Sequence, residues 1–408
     1  MTQCRHCKKE LSIDFLDLGY SPPSNSYRSS NDLNAPELYY PLRVQVCDSC
    51  WLVQTQDFVQ ADLMFEEQYA YFSSTSKSWL KHARDYSENM IDKLSLDRSS
   101  FVIEIASNDG YLLKNFVESG IPCLGIEPTI GTARASQQLG VEVVTEFFTE
   151  KLANKLISDS ISADLLIGNN VYAHVPNIND FTKGMKTILA PNGVITLEFP
   201  HLLNLMEFNQ FDTVYHEHFS YLSLHSVSKI FQHCELKIFD IEHISTHGGS
   251  IRIFGCHEDN EREVSSSVYE CLEREEKFGL TSKIMYESFQ VNANKIKNDL
   301  LTFLIDCRKN NRMVVAYGAA AKGNTLLNYS GIKTDLIEFV CDASVAKQGK
   351  YMPGSHIPIY DPIVLDNIEP DYVIILPWNL ADEITQQLNY LRDKGVKFIT
   401  AVPELKIF

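Results

Sequence analysis

The chain has no apolar run long enough to cross a bilayer, and its N-terminus, Met1-Thr2-Gln3-Cys4-Arg5, lacks the apolar centre of a signal peptide. A membrane partner is therefore not expected, and a cytoplasmic location is. Positive charge is also scarce: 36 Lys and Arg stand against 53 Asp and Glu, a formal net charge of −17. There is no basic surplus to displace the counterions of a nucleic acid, so no nucleic-acid partner is expected; a phosphorylated small ligand needs only a local patch. Dinucleotide glycine fingerprints and Walker phosphate loops are both missing. What remains is an ordinary soluble composition, 44% hydrophobic and 22% charged. At 408 residues it is too long for one core, so two or three domains are expected.

Of ten cysteines, four form two CxxC pairs, Cys4-Arg5-His6-Cys7 and Cys47-Asp48-Ser49-Cys50. Each pair can turn as a knuckle that points two sulfurs at one ion, and two knuckles make a tetrahedral thiolate cage for zinc. The strand-like alternation of residues 39–46 leads into the second knuckle. A four-sulfur site has no open position, so this zinc is expected to be structural, with His6 a bystander. The ion would supply stability that so small a segment cannot draw from a core.

Tyr71 and Ser74 lie in a hydroxyl-rich aromatic stretch that reads either as a lid on a cofactor or as the approach to an ordinary helix from Lys77 to about Leu94. From residue 101 the pattern becomes βαβ: a strand Phe101 to Ile105, a turn Ala106-Ser107-Asn108-Asp109-Gly110, then a helix with Leu112, Leu113 and Phe116 on one face. A second strand, Pro122 to Ile126, ends in Glu127, where such folds hold ribose hydroxyls. The turn carries Ser107, Asn108 and Asp109 in place of the glycines a pyrophosphate needs, and its flanking carboxylates suit a cationic, phosphate-free ligand such as S-adenosylmethionine. Strands at 141–145, 163–168 and 193–198 follow, and Asn169 and Asn170 stand at the carboxyl end of the fourth, the edge where α/β sheets bind ligands. His174, just beyond, is either catalytic or a helix cap.

After the fifth strand comes Tyr215-His216-Glu217-His218-Phe219-Ser220-Tyr221, in which histidines, a carboxylate and phenols crowd seven residues. Such a cluster can take a proton from a carbon beside a ketone; the alternative is a polar loop that only packs. Strands are expected at 236–241 and 250–256, and one long charged helix, without chemistry of its own, over 259–311. A second α/β unit opens at Arg312. Its strand Met313 to Tyr317 runs into Gly318-Ala319-Ala320-Ala321-Lys322-Gly323-Asn324-Thr325, a helix N-terminus with Lys322 and Thr325 at hand for an anion, or a plain tight turn. Further strands are expected at 336–341, 372–376 and 398–402. Trp378, at the same expected edge, is placed to stack on a base.

Taken together, CRHC…CDSC, YAYFSSTS, EIASNDGYLL, GIEP, NNVYAHV, YHEHFSYLS, HGGSIRIF and AYGAAAKGNTLLN resemble the sugar C-methyltransferases of deoxysugar pathways, 3-C-methyltransferase type, over essentially the whole chain. The resemblance implies an α/β protein in three parts. A small zinc-binding domain (1–66) precedes a class I methyltransferase domain with a seven-stranded sheet (67–258). Connecting helices (259–311) lead to a Rossmann-like domain that helps hold a sugar nucleotide (312–408). It implies zinc ligands Cys4, Cys7, Cys47 and Cys50. The implied cofactor contacts are Tyr71, Ser74, Glu104, Ala106, Asn108, Gly110, Leu113, Glu127, Asn169 and Asn170. The implied catalytic residues are Tyr215, Glu217 and His218, with His174 close by. Substrate contacts would be Tyr215, Tyr221, Tyr317, Ala320, Lys322, Asn324, Thr325 and Trp378.

The implied reaction is deprotonation of C3 in a nucleoside-diphosphate-4-keto-6-deoxysugar and methylation of the enolate. His218 is the expected base; Glu217 orients it or acts itself, and Tyr215 donates to the oxyanion. Sugar O- or N-methylation, an NAD-dependent sugar-nucleotide oxidoreductase and a non-enzymatic binding protein are the competing readings. A monomer is expected, with oligomers left open.

Overall fold

The computed structural model describes residues 3–56, 73–75 and 77–408. Near the N-terminus, β1 (Ile13–Ser21), β2 (Tyr40–Val46) and β3 (Val53–Thr55) form an antiparallel sheet. Alternation puts Ile13, Phe15, Leu42, Val44 and Val46 inside. The two CxxC knuckles sit at one end of this sheet. Its fourth strand is not local: Ser220–Tyr221 pairs with β3, Val53 opposite Tyr221 and Gln54 opposite Ser220.

The central unit is built on β4 (Val102–Ile105), β5 (Cys123–Ile126), β6 (Glu142–Val144), β7 (Ala163–Asn169), β8 (Leu189–Pro200), the short β9 (Ser220–Tyr221), β10 (Leu236–Ile244) and β11 (Ser250–His257). All but β9 form one sheet in the order β10-β11-β8-β7-β4-β5-β6. β11 runs antiparallel between β8 and β10, and the other neighbours are parallel. This is the expected class I methyltransferase order, and its chain reversal falls between β4 and β7, where a ligand crevice opens at the carboxyl edge. Helices cover both faces. One face joins Phe148, Tyr172, Phe181 and Phe231 to the cysteine knuckles, and the other packs Tyr86, Met90, Leu112, Leu113 and Phe116.

In place of one helix over 259–311 there are three, Ser266–Phe278, Lys283–Glu287 and Phe289–Lys309. Gly279 breaks the first with φ near +100°, a conformation in which its N–H returns to the Glu275 carbonyl. The C-terminal sheet follows from β12 (Val314–Tyr317), β13 (Val340–Cys341), β14 (Ile359–Tyr360), β15 (Tyr372–Ile375), β16 (Lys397–Thr400) and β17 (Lys406–Ile407), in the order β14-β13-β12-β15-β16-β17. β13 is shorter than the 336–341 expectation, because the N–H groups of Leu336 and Ile337 both bond to the Lys333 carbonyl in a helical turn. One apolar cluster runs without interruption from β1 and β2 through Leu203 and Phe211 to the helix Phe289–Lys309 and the C-terminal sheet. Among the described residues, no helix is long and apolar enough to cross a membrane.

Candidate active site

β4 delivers the chain to a turn with three left-handed residues in five, Ala106 (φ +58°), Asn108 (φ +50°) and Gly110 (φ +75°). Ala106 costs of order 1–2 kcal/mol in that conformation, and Asn108, whose short polar side chain tolerates it, costs less. The Glu127 carboxylate offsets part of it, accepting from the Asn108 N–H at 2.9 Å and from the Thr129 N–H at 2.9 Å. Glycine is required at 110, where a Cβ would lie 2.6 Å from Oγ of Ser136. Beneath the turn, Glu104 is fully buried, and burial, then the charges of Glu127 and Asp109, push its carboxyl well above the usual range. Leu113 is wholly in the core below. Ser74 donates its N–H to Asp109 at 3.1 Å, while Ser73 donates its N–H to the Asn108 side chain at 3.0 Å, so residues 73–75 sit against the turn. Tyr71 lies outside the described residues.

At the end of β7, Asn169 is buried with both ends of its amide unpartnered among the described residues, as is Nδ2 of Asn170. Buried amides in that state mark a place for a ligand. Carboxylates at the turn after β4 and unpartnered amides at the end of the neighbouring β7 fit a cationic adenosyl ligand such as S-adenosylmethionine, which offers an ammonium, a sulfonium and ribose hydroxyls.

His174 continues the loop from Asn169. Its Nδ1 lies 2.9 Å from the carbonyl of Glu217, which only a protonated nitrogen can satisfy, so Nε2 carries the lone pair. Burial lowers its pKa to about 4, so the ring is neutral at pH 7. It meets His218 edge to face, ring centres 4.7 Å apart. His218 Nε2 lies 2.8 Å from the Tyr215 hydroxyl, and Tyr221 receives the Tyr215 N–H at 3.2 Å. His216 points elsewhere, into the N-terminal sheet beside the Pro41 carbonyl. The loops after β7 and β8 thus bring His174, Tyr215, Glu217 and His218 together at the carboxyl edge, the edge that also carries the turn after β4.

Two residues that sequence reasoning passed over complete this cluster. Asn25 donates its amide to both oxygens of Glu217, at 2.8 and 2.9 Å, from the segment after β1. Tyr27, two residues on, donates to the Ala319 carbonyl at 2.5 Å. Nothing in the pattern singled them out, although the adjacent Pro22-Pro23 marks a fixed loop.

In the C-terminal unit, Gly318 (φ +89°) turns the chain against Pro377, and Ala320 caps the helix Ala321–Ser330 without a side-chain bond. The side chains expected at an anion are partly engaged with protein. Asn324 donates to the Ser24 carbonyl at 2.6 Å and Thr325 to the Val214 carbonyl at 2.8 Å. Lys322 is half-buried, bonded to Asn379 at 2.6 Å and lying 4.5 Å over the Trp378 ring; desolvation lowers its pKa against the pull of Asp212. Trp378 donates Nε1–H to Asp212 at 2.8 Å and packs on Gly248. Asp212, also unforeseen, has its carboxyl pushed up to about 6 by burial. Lys347 joins them, donating to the Ala319 carbonyl at 2.7 Å. Tyr317, at the end of β12, is buried beside Asp342.

The sulfurs of Cys4, Cys7, Cys47 and Cys50 all lie within 4.8 Å of one another, with Cys4–Cys50 and Cys7–Cys47 at 3.4 Å. A tetrahedral zinc with ~2.3 Å bonds needs sulfurs about 3.8 Å apart, so the cage fits. His6 faces away, bonded to Asn179. A second buried group, His201, Cys271 and Glu275, is a helix cap: Glu275 accepts from the N–H groups of Leu224 and His225 at 2.6 and 2.9 Å and from His201 at 2.6 Å. The supposed connecting helices therefore fix the helix that follows the histidine loop.

Models of known families match residues 4–65 as a zinc-binding domain, 79–240 as a methyltransferase domain and 245–403 as a C-methyltransferase C-terminal domain. C-methyltransferase NovU from Streptomyces niveus is 31% identical over 405 residues, covering 99% of this chain and 96% of that protein. Two solved structures overlap in part. An S-adenosylmethionine-dependent methyltransferase from Clostridium acetobutylicum gives a TM-score of 0.35 at 11% identity, over 44% of this chain and 92% of that one. Magnesium protoporphyrin IX methyltransferase from Synechocystis gives 0.34 at 14%, over 43% and 81%. Shared along nearly its whole length with such an enzyme, and matched in all three parts, the chain belongs to the S-adenosylmethionine-dependent C-methyltransferases that carry an N-terminal zinc-binding domain.

Proposed function

We propose that the chain removes the proton from C3 of a nucleoside-diphosphate-4-keto-6-deoxysugar and methylates that carbon. The observation that carries this reading is the contact of His174 and His218, with Tyr215 on the second ring, at the same sheet edge as the turn after β4. A carbon next to a ketone becomes acidic only where a base and an oxyanion donor act together. Tyr215 and His218 are such a pair. The Tyr215 hydroxyl turns from Nε2 of His218 to the ketone oxygen, and Nε2 takes the C3 proton. Glu217, clamped by Asn25, presents negative charge to the imidazolium, and His174 stays neutral and holds the Glu217 carbonyl in place.

The cofactor, held by Glu104, Ala106, Asn108, Gly110, Glu127, Asn169 and Asn170, supplies a methyl group on a cationic sulfur, the electrophile that the deprotonated carbon takes. Thiolates of Cys4, Cys7, Cys47 and Cys50 would hold zinc with no open position, apart from the chemistry. The start of the helix Ala321–Ser330, with Lys322 and Lys347, supports a diphosphate site, and Trp378 lies beside it.

The test is a panel of 4-keto sugar nucleotides in deuterated water with labelled cofactor. Solvent deuterium should enter C3 when the sulfonium is replaced by its demethylated product, and the label should appear on carbon. Label on oxygen or nitrogen, without exchange at C3, would overturn the reading.

A further inference from the structure

We propose that Arg5, inside the first zinc knuckle, is a positioning residue that holds the His174–His218 pair in register, so that the metal cage acts on turnover through the loop backbone. This rests on the reading of those histidines as the reacting pair.

Arg5 is buried between the knuckles and the central sheet. Its planar fork reaches three backbone carbonyls on three segments: Nε donates to Phe219 at 3.2 Å, Nη1 to Pro176 at 3.1 Å and Nη2 to Thr55 at 3.1 Å. The guanidinium also lies 4.9 Å over the Phe219 ring. Phe219 follows His218, and Pro176 stands two residues after His174, so one side chain spans both loops that carry the pair. The loops are joined again by the Phe219 N–H on the Ala173 carbonyl at 2.8 Å.

The second knuckle reaches the same place. β3 leaves Cys50 and ends at Thr55, whose hydroxyl donates to the His218 carbonyl at 3.1 Å and whose N–H bonds to Phe219. Gln54 accepts the Arg5 N–H at 2.9 Å and ties the two knuckles together. A lysine has the charge but not the fork, and cannot serve three acceptors in one plane. A residue that merely glued the domain down would need none of its bonds on carbonyls within two residues of both histidines.

The test uses the full chain with zinc bound, as Arg5→Lys and Thr55→Val. The second leaves both knuckles intact and guards against a folding failure of the first. Zinc content and cofactor affinity should match the wild type. Backbone exchange at the amides of His218 and Phe219 should quicken roughly tenfold, and kcat should fall about 30-fold for Arg5→Lys and less for Thr55→Val, with KM little changed. Unaltered exchange in both variants overturns the brace. Faster exchange with full kcat keeps the brace but overturns the choice of histidines as the reacting pair.

Discussion

The hydroxyl of Tyr215 lies 2.8 Å from Nε2 of His218, so an acid and a base are already bonded to each other across one turn of loop. Removing the phenol separates their roles. Tyr215→Phe should lose the oxyanion donor, lowering kcat by about 100-fold, the loss of on the order of 3 kcal/mol that such donors supply. His218→Asn should abolish deuterium entry at C3 as well. Cofactor affinity, measured by calorimetry, should stay within about twofold in both, because neither side chain belongs to the turn after β4.

His174 links the site to acid stability. Its pKa falls from the usual ~6.5 to about 4 on burial, so the unfolded chain binds a proton that the folded chain refuses. Stability is complete above pH ~6.5 and is lost as pH falls towards 4, by roughly 1.4 kcal/mol per unit for this group. His174→Asn should flatten that part of the curve in urea titrations at pH 7, 6 and 5. A slope equal to the wild type's would mean that the ring is not desolvated.

Asn25 serves the carboxylate of Glu217 from another domain. Asn25→Ala should cost about 2 kcal/mol of stability, as for other hydrogen bonds to charged groups. Asn25→Asp should be worse at pH 8, since it sets one carboxylate against another, and should recover on acidification at a pH above the usual carboxylate range, where the pair takes up one shared proton, with the recovery complete near ~4. Thermal midpoints across pH, with kcat beside them, check both.

Metal removal should act by unfolding. Stripping zinc would free four thiolates whose cage secures β2, β3 and the knuckles, and the proposed reaction has no step at the ion. Chelation at raised temperature should release one zinc per chain and abolish turnover. Cofactor binding to the central sheet should survive in part.

Glu275 tests whether the middle helices matter. Glu275→Ala leaves the Leu224 and His225 N–H groups and His201 without their acceptor, with Leu224 and His201 buried and His225 half-buried. The expected loss is about 3 kcal/mol in denaturant titration, and Glu275→Gln should restore part of it.

Much of this was written locally in the chain. CxxC knuckles, alternating strands and the acidic turn after β4 are set by neighbours in sequence, and they stand where their patterns put them. The histidine cluster was visible as a motif, but its partner His174 was left between a cap and a catalyst, because only packing of the loops after β7 and β8 joins it to His218. Asn25, Tyr27 and Asp212 were not legible: each meets its partner far along the chain, from segments of unremarkable composition. Glu275 was hidden differently, one glutamate among many on a charged helix, its burial decided by the helix it caps. The strand expected at Leu336 failed because the Lys333 carbonyl offered a nearer bond than the sheet did.

Ser220–Tyr221 completes the sheet of β1, β2 and β3 while following His218 by only two residues. Anyone building chimeras in this family would find that the first fifty-odd residues are no detachable handle. A graft from a homologue must bring an edge that accepts this borrowed dipeptide in the same register, or the recipient's own histidine loop loses its seat.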